Sequence, residues 1–184
     1  PYGVFALIAT AVGKIGIDGA KSFGLVVVCI TAGCIWQIFI IFTLALKFMA
    51  GVKIVPFFKG MKEAMAVAFT TSSSSATLPV SLECARDHLG LSHDISGFVL
   101  SLGSTINMNG TAIGQSVLAI YIAQAYGIEV SFVSLFVLMF TTLISAIGTA
   151  GIPGSGLVML SIVLNAMGLP LEGIMLVAGI DRLR

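Results

Sequence analysis

Long apolar runs broken by short polar tracts organise this chain. Residues 23–49 carry no charge before Lys47, enough for a bilayer-spanning helix of about 20 residues. Residues 1–17 read as the tail of an earlier helix, closed by "GIDG". Residues 94–126 form a third long segment, interrupted by "NMNG" at 107–110. Two other regions, 54–90 and 129–168, share one layout: an apolar arm, a polar or glycine-rich tip, and a second apolar arm. Their tips are the serine tract of "AFTTSSSSATLPVS" (68–81) and "GTAGIPGSG" (148–156). Arms this short are marginal as spans, so each region is predicted to be a re-entrant helical hairpin. A final helix is predicted from residue 170 onward. The expected fold is an all-α polytopic membrane protein, with two oppositely oriented re-entrant hairpins and one unwound helix.

Charge placement supplies the orientation. Lys47, Lys53, Lys59 and Lys62 precede the first hairpin, and Arg86, His88 and His93 follow it. Basic flanks on both sides place both ends in the cytoplasm under the positive-inside rule. The second hairpin is flanked by Glu129 and Glu172, which fits the opposite face. Of the 184 residues, 58% are hydrophobic and 9% charged, with a mean hydropathy of +1.11. A soluble domain needs about 25% charged residues to cover its surface, so the expected solvent is lipid. The expected location is the plasma membrane, which is the inner membrane in a bacterium. A net charge of +1 leaves no nucleic-acid footprint. Cys29, Cys34 and Cys84 have no disulfide or zinc spacing and read as small apolar packing residues. The chain opens on "PYGVFALIA" and stops at "GIDRLR", which reads as an internal piece of a larger membrane protein.

Non-helical backbone at membrane depth is tolerated only where it is buried in protein or lines a wet cavity. Paired interrupted segments in opposed orientation point to a binding site near the midplane. Pro79 belongs in a first helical turn, which predicts that the second arm of hairpin one starts near Thr77 or Leu78. A helix N-terminus there holds a carboxylate, and Ser73, Ser74 and Ser75 add hydroxyl donors. The plainer alternative is serines that let helices pack closely. At "STINMNGTAIGQS" (104–116), carbonyls of Gly103, Thr105 and Asn107 and side-chain oxygens of Asn107 and Asn109 are hard donors suited to Na+. Met108 is an odd companion there, since a thioether accepts weakly. The alternative is a kink with satisfied Asn groups. In "GTAGIPGSG", four glycines free the loop and Pro153 stiffens it, as a gate requires; a tight turn is the alternative. Asp181 and Arg182 are functional candidates because ionisable groups in a membrane helix usually are.

The stretches "TSSSSATLP", "GSTINMNGTA", "GTAGIPGSG" and "GLPLEGIMLVAGIDR" closely resemble the dicarboxylate/amino acid:cation symporter family. The resemblance covers the whole chain, as the C-terminal half of such a protein. It implies a homotrimer whose transport domains move like elevators. It also implies a small anionic solute, glutamate, aspartate or a dicarboxylate, driven by a cation gradient. Na+ is favoured as coupling ion and H+ is the alternative; no other cofactor is implied. By resemblance, Ser74 contacts the solute and Thr111 its acidic side chain, while Ile152 and Gly156 close hairpin two over it. Gly103 and Asn107 resemble sodium ligands, and Thr105, Met108, Ile147 and Thr149 a second sodium site. One departure stands out. Sodium-using members commonly read "NMDGT", and this chain carries Asn109 at the aspartate position. Losing that carboxylate weakens a buried cation site. The family's solute-reading residues of its last helix would lie beyond Arg184. "SSSSATLP" and "GIPGSG" favour the glutamate/aspartate branch, with a neutral amino acid carrier as the alternative.

Two rivals come from other classes. A passive channel also uses carbonyl-lined re-entrant loops. An intramembrane serine protease would use Ser155, but nucleophilic catalysis needs a nearby base. The only histidines, His88 and His93, sit at the cytoplasmic base of hairpin one. The chain is therefore expected not to be an enzyme.

Overall fold

The computed structural model of the protein describes residues 24–149 and 155–178, and these are helical with no strand among them. Residues 1–17, Ile152, Pro153, Asp181 and Arg182 lie outside the described residues. The helices are α1 (Gly24–Phe48), α2 (Ile54–Gly60), α3 (Lys62–Thr71), α4 (Ser74–Asp87), α5 (His93–Ile106), α6 (Asn109–Ala125), α7 (Phe132–Ile147), α8 (Ser155–Ala166) and α9 (Gly173–Val177). At about 1.5 Å per residue, α1 is roughly 37 Å long and exceeds a hydrocarbon core of about 30 Å. Its mean hydropathy of 2.5 makes it the one described helix long and apolar enough to cross a membrane. Residues Gln37–Phe42 of α1 are wound as a π-helix. α7 and α8 are apolar but shorter.

The chain divides into two compact units. The first holds residues up to Cys34, Asn109–Ala146 and Gly156 onward. Its core is built on one face of α6: Leu118, Ala119, Ile122 and Ala123 are all fully buried. These cluster with Val26 and Ile30 of α1, Leu138 of α7, Leu160, Val163 and Leu164 of α8, and Val177 of α9. Two helix ends in this unit close in the same way. Gly127 and Gly168 take φ of +65° and +69°, a region open to glycine at no steric cost. Each lets the next residue donate back into the last turn, Ile128 N–H to Ala123 C=O and Leu169 N–H to Leu164 C=O, both at 2.8 Å. One orphan carbonyl in the last turn of each helix is thereby met.

The second unit holds Ile35–Met108 and Ile147–Ser155. Here α3 and α4 form a helical hairpin joined by Ser72 and Ser73, and α4 packs on α5. The buried positions of this hairpin are small: Ala64, Thr77, Cys84 and Ala85. Small residues let helix backbones approach closely. At its base Arg86 Nε donates to Ser96 Oγ at 3.1 Å, and Ser96 Oγ donates to the His93 carbonyl at 3.1 Å. That relay ties the end of α4 to the start of α5. Large apolar side chains point outward; Phe69 is 90% exposed.

One expectation is corrected. α4 begins at Ser74, not near Thr77 or Leu78, so Pro79 stands inside the helix instead of in its first turn. The cap outweighs the proline. Ser73 Oγ accepts the Ala76 N–H at 3.2 Å, and its carbonyl accepts both the Thr77 N–H and the Thr77 hydroxyl, at 3.1 and 2.8 Å. Pro79 leaves the Ser75 carbonyl without its usual intrahelical donor.

Among the described glycines, Gly173 of α9 has the least room: an added Cβ would lie 2.5 Å from Ile122 Cγ2. Ile122 is β-branched and fully buried, so it yields little. Gly173→Ala is expected to lower stability by about 1–3 kcal/mol, the usual cost of overpacking. The same substitution should cost less in an Ile122→Ala background, where the clashing methyl group is gone. Thermal unfolding of the purified protein in detergent checks both.

Candidate functional site

The tip of the α3–α4 hairpin is set by two backbone conformations. Ser72 is left-handed, at φ 48° and ψ 35°, and donates its N–H to the Ala68 carbonyl at 2.9 Å. A non-glycine residue there carries local strain, which persists only where its surroundings enforce it. Ser73 is extended, at φ −140° and ψ 114°, and caps α4 with its side chain. Together they reverse the chain within two residues. Ser74 and Ser75 then open α4, so their N–H groups have no intrahelical acceptor. The helix dipole adds partial positive charge at that point.

The other wall is the end of α5. That helix stops at Ile106, and Asn107 leaves helical geometry at φ −90° and ψ 71°. Asn107 N–H donates to the Gly103 carbonyl at 2.9 Å, and Met108 N–H to the Ile106 carbonyl at 3.1 Å. The last-turn carbonyls of a helix carry partial negative charge. A cavity of about 350 Å³ lies against both helix ends, within the size range of small-molecule sites, about 300–1,000 Å³. Its lining includes Ser72, Ser73, Ser74, Thr77 and Ser81 from the hairpin, and Leu100, Gly103, Ser104 and Asn107 from α5 and its end. None of the described residues in the lining is charged. A positive helix end and a negative one therefore share a neutral, hydroxyl-rich cavity.

The hydroxyls differ in what they offer. The side chains of Ser72, Ser74, Ser81 and Asn107 make no hydrogen bond with another described residue. Thr77 Oγ1 lies 2.8 Å from the Ser73 carbonyl, and Ser104 Oγ 2.7 Å from the Ser101 carbonyl. A carbonyl can only accept, so both of these hydroxyls are donors there.

Of the candidate residues read from the sequence, the cavity brings together Ser73, Ser74, Gly103 and Asn107. Ser75 is exposed beside them without lining it. Thr105 is exposed and back-bonds to the Leu102 carbonyl at 2.9 Å. Met108 is half-buried, Ile147 exposed and Thr149 buried; they belong to the same unit and do not line the cavity. Asn109, Thr111 and Gly156 belong to the other unit. There the fully buried Gln115, one turn beyond Thr111, brings Nε2 to 3.5 Å from the Gly156 carbonyl, and its Oε1 has no hydrogen-bond partner among the described residues. Sequence reasoning passed over Thr77, Ser81 and Ser104. The signal was present as spacing: Ser74, Thr77 and Ser81 recur at helical intervals on α4, and Ser104 precedes Asn107 by one turn.

The chain matches the Sodium:dicarboxylate symporter family over residues 1–184. It is similar to an "Excitatory amino acid transporter" of Caenorhabditis elegans, 36% identical over 98% of this chain and 36% of that protein. It is also similar to a "Proton/sodium-glutamate symport protein" of Bacillus subtilis, 34% identical over 100% of this chain and 42% of that protein. A "Neutral amino acid transporter B(0)" of Mus musculus is 42% identical over 68% of this chain and 23% of its own length. The chain thus spans less than half the length of these curated relatives.

The cap at the tip can be tested on its own. Ser73→Ala is expected to cost about 1 kcal/mol of stability, as loss of a helix N-cap does. Ser73→Asp should retain most of it. Thermal melting in detergent without added solute is the measurement.

Proposed function

This chain belongs to the sodium:dicarboxylate symporter family, whose members are membrane transporters and not enzymes, and on that premise we propose that it takes part in symport of an acidic amino acid or dicarboxylate driven by a sodium gradient. The observation that carries the reading is the cavity where the N-terminus of α4 and the C-terminal end of α5 meet. The N–H and hydroxyl of Ser74, at the start of α4 and in the lining of the cavity, suit a carboxylate. Oxygens of Gly103 and Asn107 suit a hard cation. Neutral donors and acceptors of this kind bind both ions without a fixed charge that would trap either.

The finer assignments extend this reading. Residues 54–90 and 129–168 are re-entrant hairpins entering from opposite faces of a multi-pass plasma-membrane protein. α3 and α4, at roughly 15 and 21 Å by length, are each too short to cross about 30 Å of hydrocarbon, which supports the first of these. Thr111, Ile152, Pro153 and Gly156 are further solute contacts, with hairpin two as outer gate. Thr105, Met108, Ile147 and Thr149 form a second sodium site, and Asn109 leaves a third one weak. The protein is a homotrimer with elevator-type alternating access. A second reading, proton coupling, is favoured by one observation: the B. subtilis relative is named for both proton and sodium.

The experiment is uptake of labelled L-aspartate by liposomes carrying the full-length protein, with and without an inward sodium gradient. Gradient-dependent accumulation is expected. Uptake that follows a proton gradient instead would shift the coupling ion to H+. Flux that only ever ran downhill would replace the symporter with an uncoupled pore.

A further inference from the structure

Thr77 and Ser104 differ from the other hydroxyls of the second unit. Many Ser and Thr side chains here donate to a carbonyl one turn back: Thr70, Thr71, Ser96, Ser101's neighbour Ser104, Thr105 and Thr77. Only Thr77 and Ser104 among these also line the cavity. Thr77 is buried and Ser104 half-buried, so water reaches them poorly. Each has spent its single hydrogen on a carbonyl, at 2.8 and 2.7 Å. What each offers the cavity is therefore lone pairs alone.

A second observation points the same way. Thr71 Oγ1 lies 3.5 Å from Thr77 Oγ1, yet Thr71 already donates to the Val67 carbonyl at 2.8 Å. With both hydroxyls on their own carbonyls, neither has a hydrogen left for the other, and this contact then leaves a lone pair of Thr77 open. In the same lining, Ser74 opens α4 at the hairpin tip. The cavity thus combines a donor at the helix start with acceptors one turn along, at Thr77 on α4 and Ser104 on α5.

We propose that the Thr77 and Ser104 hydroxyl oxygens act as an acceptor pair for a positive centre, either an alkali cation or the ammonium group of an amino acid. Both sources share the chemistry: a compact positive charge that needs hard oxygens with no competing hydrogen. The pair adds to the cavity two ligand oxygens besides Gly103 and Asn107. Ser81, whose hydroxyl makes no bond with a described residue, stays free to donate or accept, and so carries no such commitment. The inference rests on the transport reading, because it assumes that the cavity is occupied during function.

The test compares the full-length protein with Ser104→Ala, Ser104→Thr and Thr77→Val. Two quantities are measured in liposomes: the sodium concentration for half-maximal uptake at saturating aspartate, and the aspartate KM at saturating sodium. A third readout needs no transport: the thermal shift of the detergent-purified protein with NaCl against choline chloride. Loss of one oxygen facing a charge is expected to weaken binding roughly tenfold or more, with Ser104→Thr close to the parent. A rise confined to the sodium requirement, with a lost sodium-dependent thermal shift, assigns the pair to the alkali cation. A rise in aspartate KM at saturating sodium, with inhibition by succinate unchanged, assigns it to the ammonium group. Either outcome supports the pair. Variants matching the parent in all three readouts overturn it, because the oxygens then hold nothing but water. If the parent shows a sodium-dependent thermal shift that Ser104→Ala loses, yet no sodium-driven aspartate uptake, the pair stands and the symport reading falls. A parent with neither uptake nor shift sinks both.

Discussion

The hydrogen-bonding demand of interrupted helix ends governs this structure. Each helix leaves open N–H groups at its start and open carbonyls at its end, and away from water such groups cost free energy unless something meets them. At several ends here the chain supplies the partner itself. Gly127 and Gly168 turn the last residues of α6 and α8 back onto their own carbonyls. Ser92 caps α5, its Oγ accepting the Ile95 N–H at 3.4 Å. At the start of α4 and the end of α5 the closure is only partial. Ser73 meets Ala76, and Asn107 meets Gly103, while Ser74 at one end and Gly103, Ser104 and Asn107 at the other line a cavity. A ligand that completes them is stabilised by groups already fixed in place.

That fixing depends on packing farther away. α4 and α5 meet the cavity at one end and are joined at the other by the Arg86–Ser96–His93 relay. The small buried residues of the hairpin, Ala64, Cys84 and Ala85, let α3 lie close to α4 and hold the reversal at Ser72 and Ser73. The left-handed Ser72 is a modest local strain, and the hairpin packing is what makes it tolerable. In the other unit the same role falls to a bulkier core around Leu118 and Ile122, against which Gly173 fits without room for a methyl group.

The helical class and the family were legible in the sequence, because apolar runs and ordered motifs survive reading without coordinates. The interruption at "NMNG" was also legible, since two Asn and a Gly weaken a helix locally, and α5 does end at Ile106. The start of α4 was misread. Proline preference argued for a start near Thr77, but four consecutive serines offered several possible caps, and sequence does not say which of them points back along the helix. Ser73 took that place through bonds to Ala76 and Thr77, and Pro79 was carried inward. Thr77, Ser81 and Ser104 were missed for a related reason. A hydroxyl in an apolar helix looks the same whether it back-bonds to its own turn in lipid or does so while lining a cavity, and only the packing of α4 on α5 separates the two.

A neutral cavity also bears on coupling. The described residues of its lining include no carboxylate or amine, so under the proposed symport a lone cation or a lone anion gains from them only dipoles and hydroxyls in exchange for its hydration. When both are present they supply each other's missing charge. Two unit charges about 4 Å apart attract by about 4 kcal/mol at an effective dielectric of 20, which corresponds to nearly three orders of magnitude in affinity. Such a coupling is reciprocal: sodium would tighten solute binding by the factor by which solute tightens sodium. A fixed aspartate in the same cavity would work against this, since it would hold the cation whether or not solute arrived. A neutral oxygen set thus makes each ion's occupancy conditional on the other, which the proposed symport needs and an uncoupled pore does not.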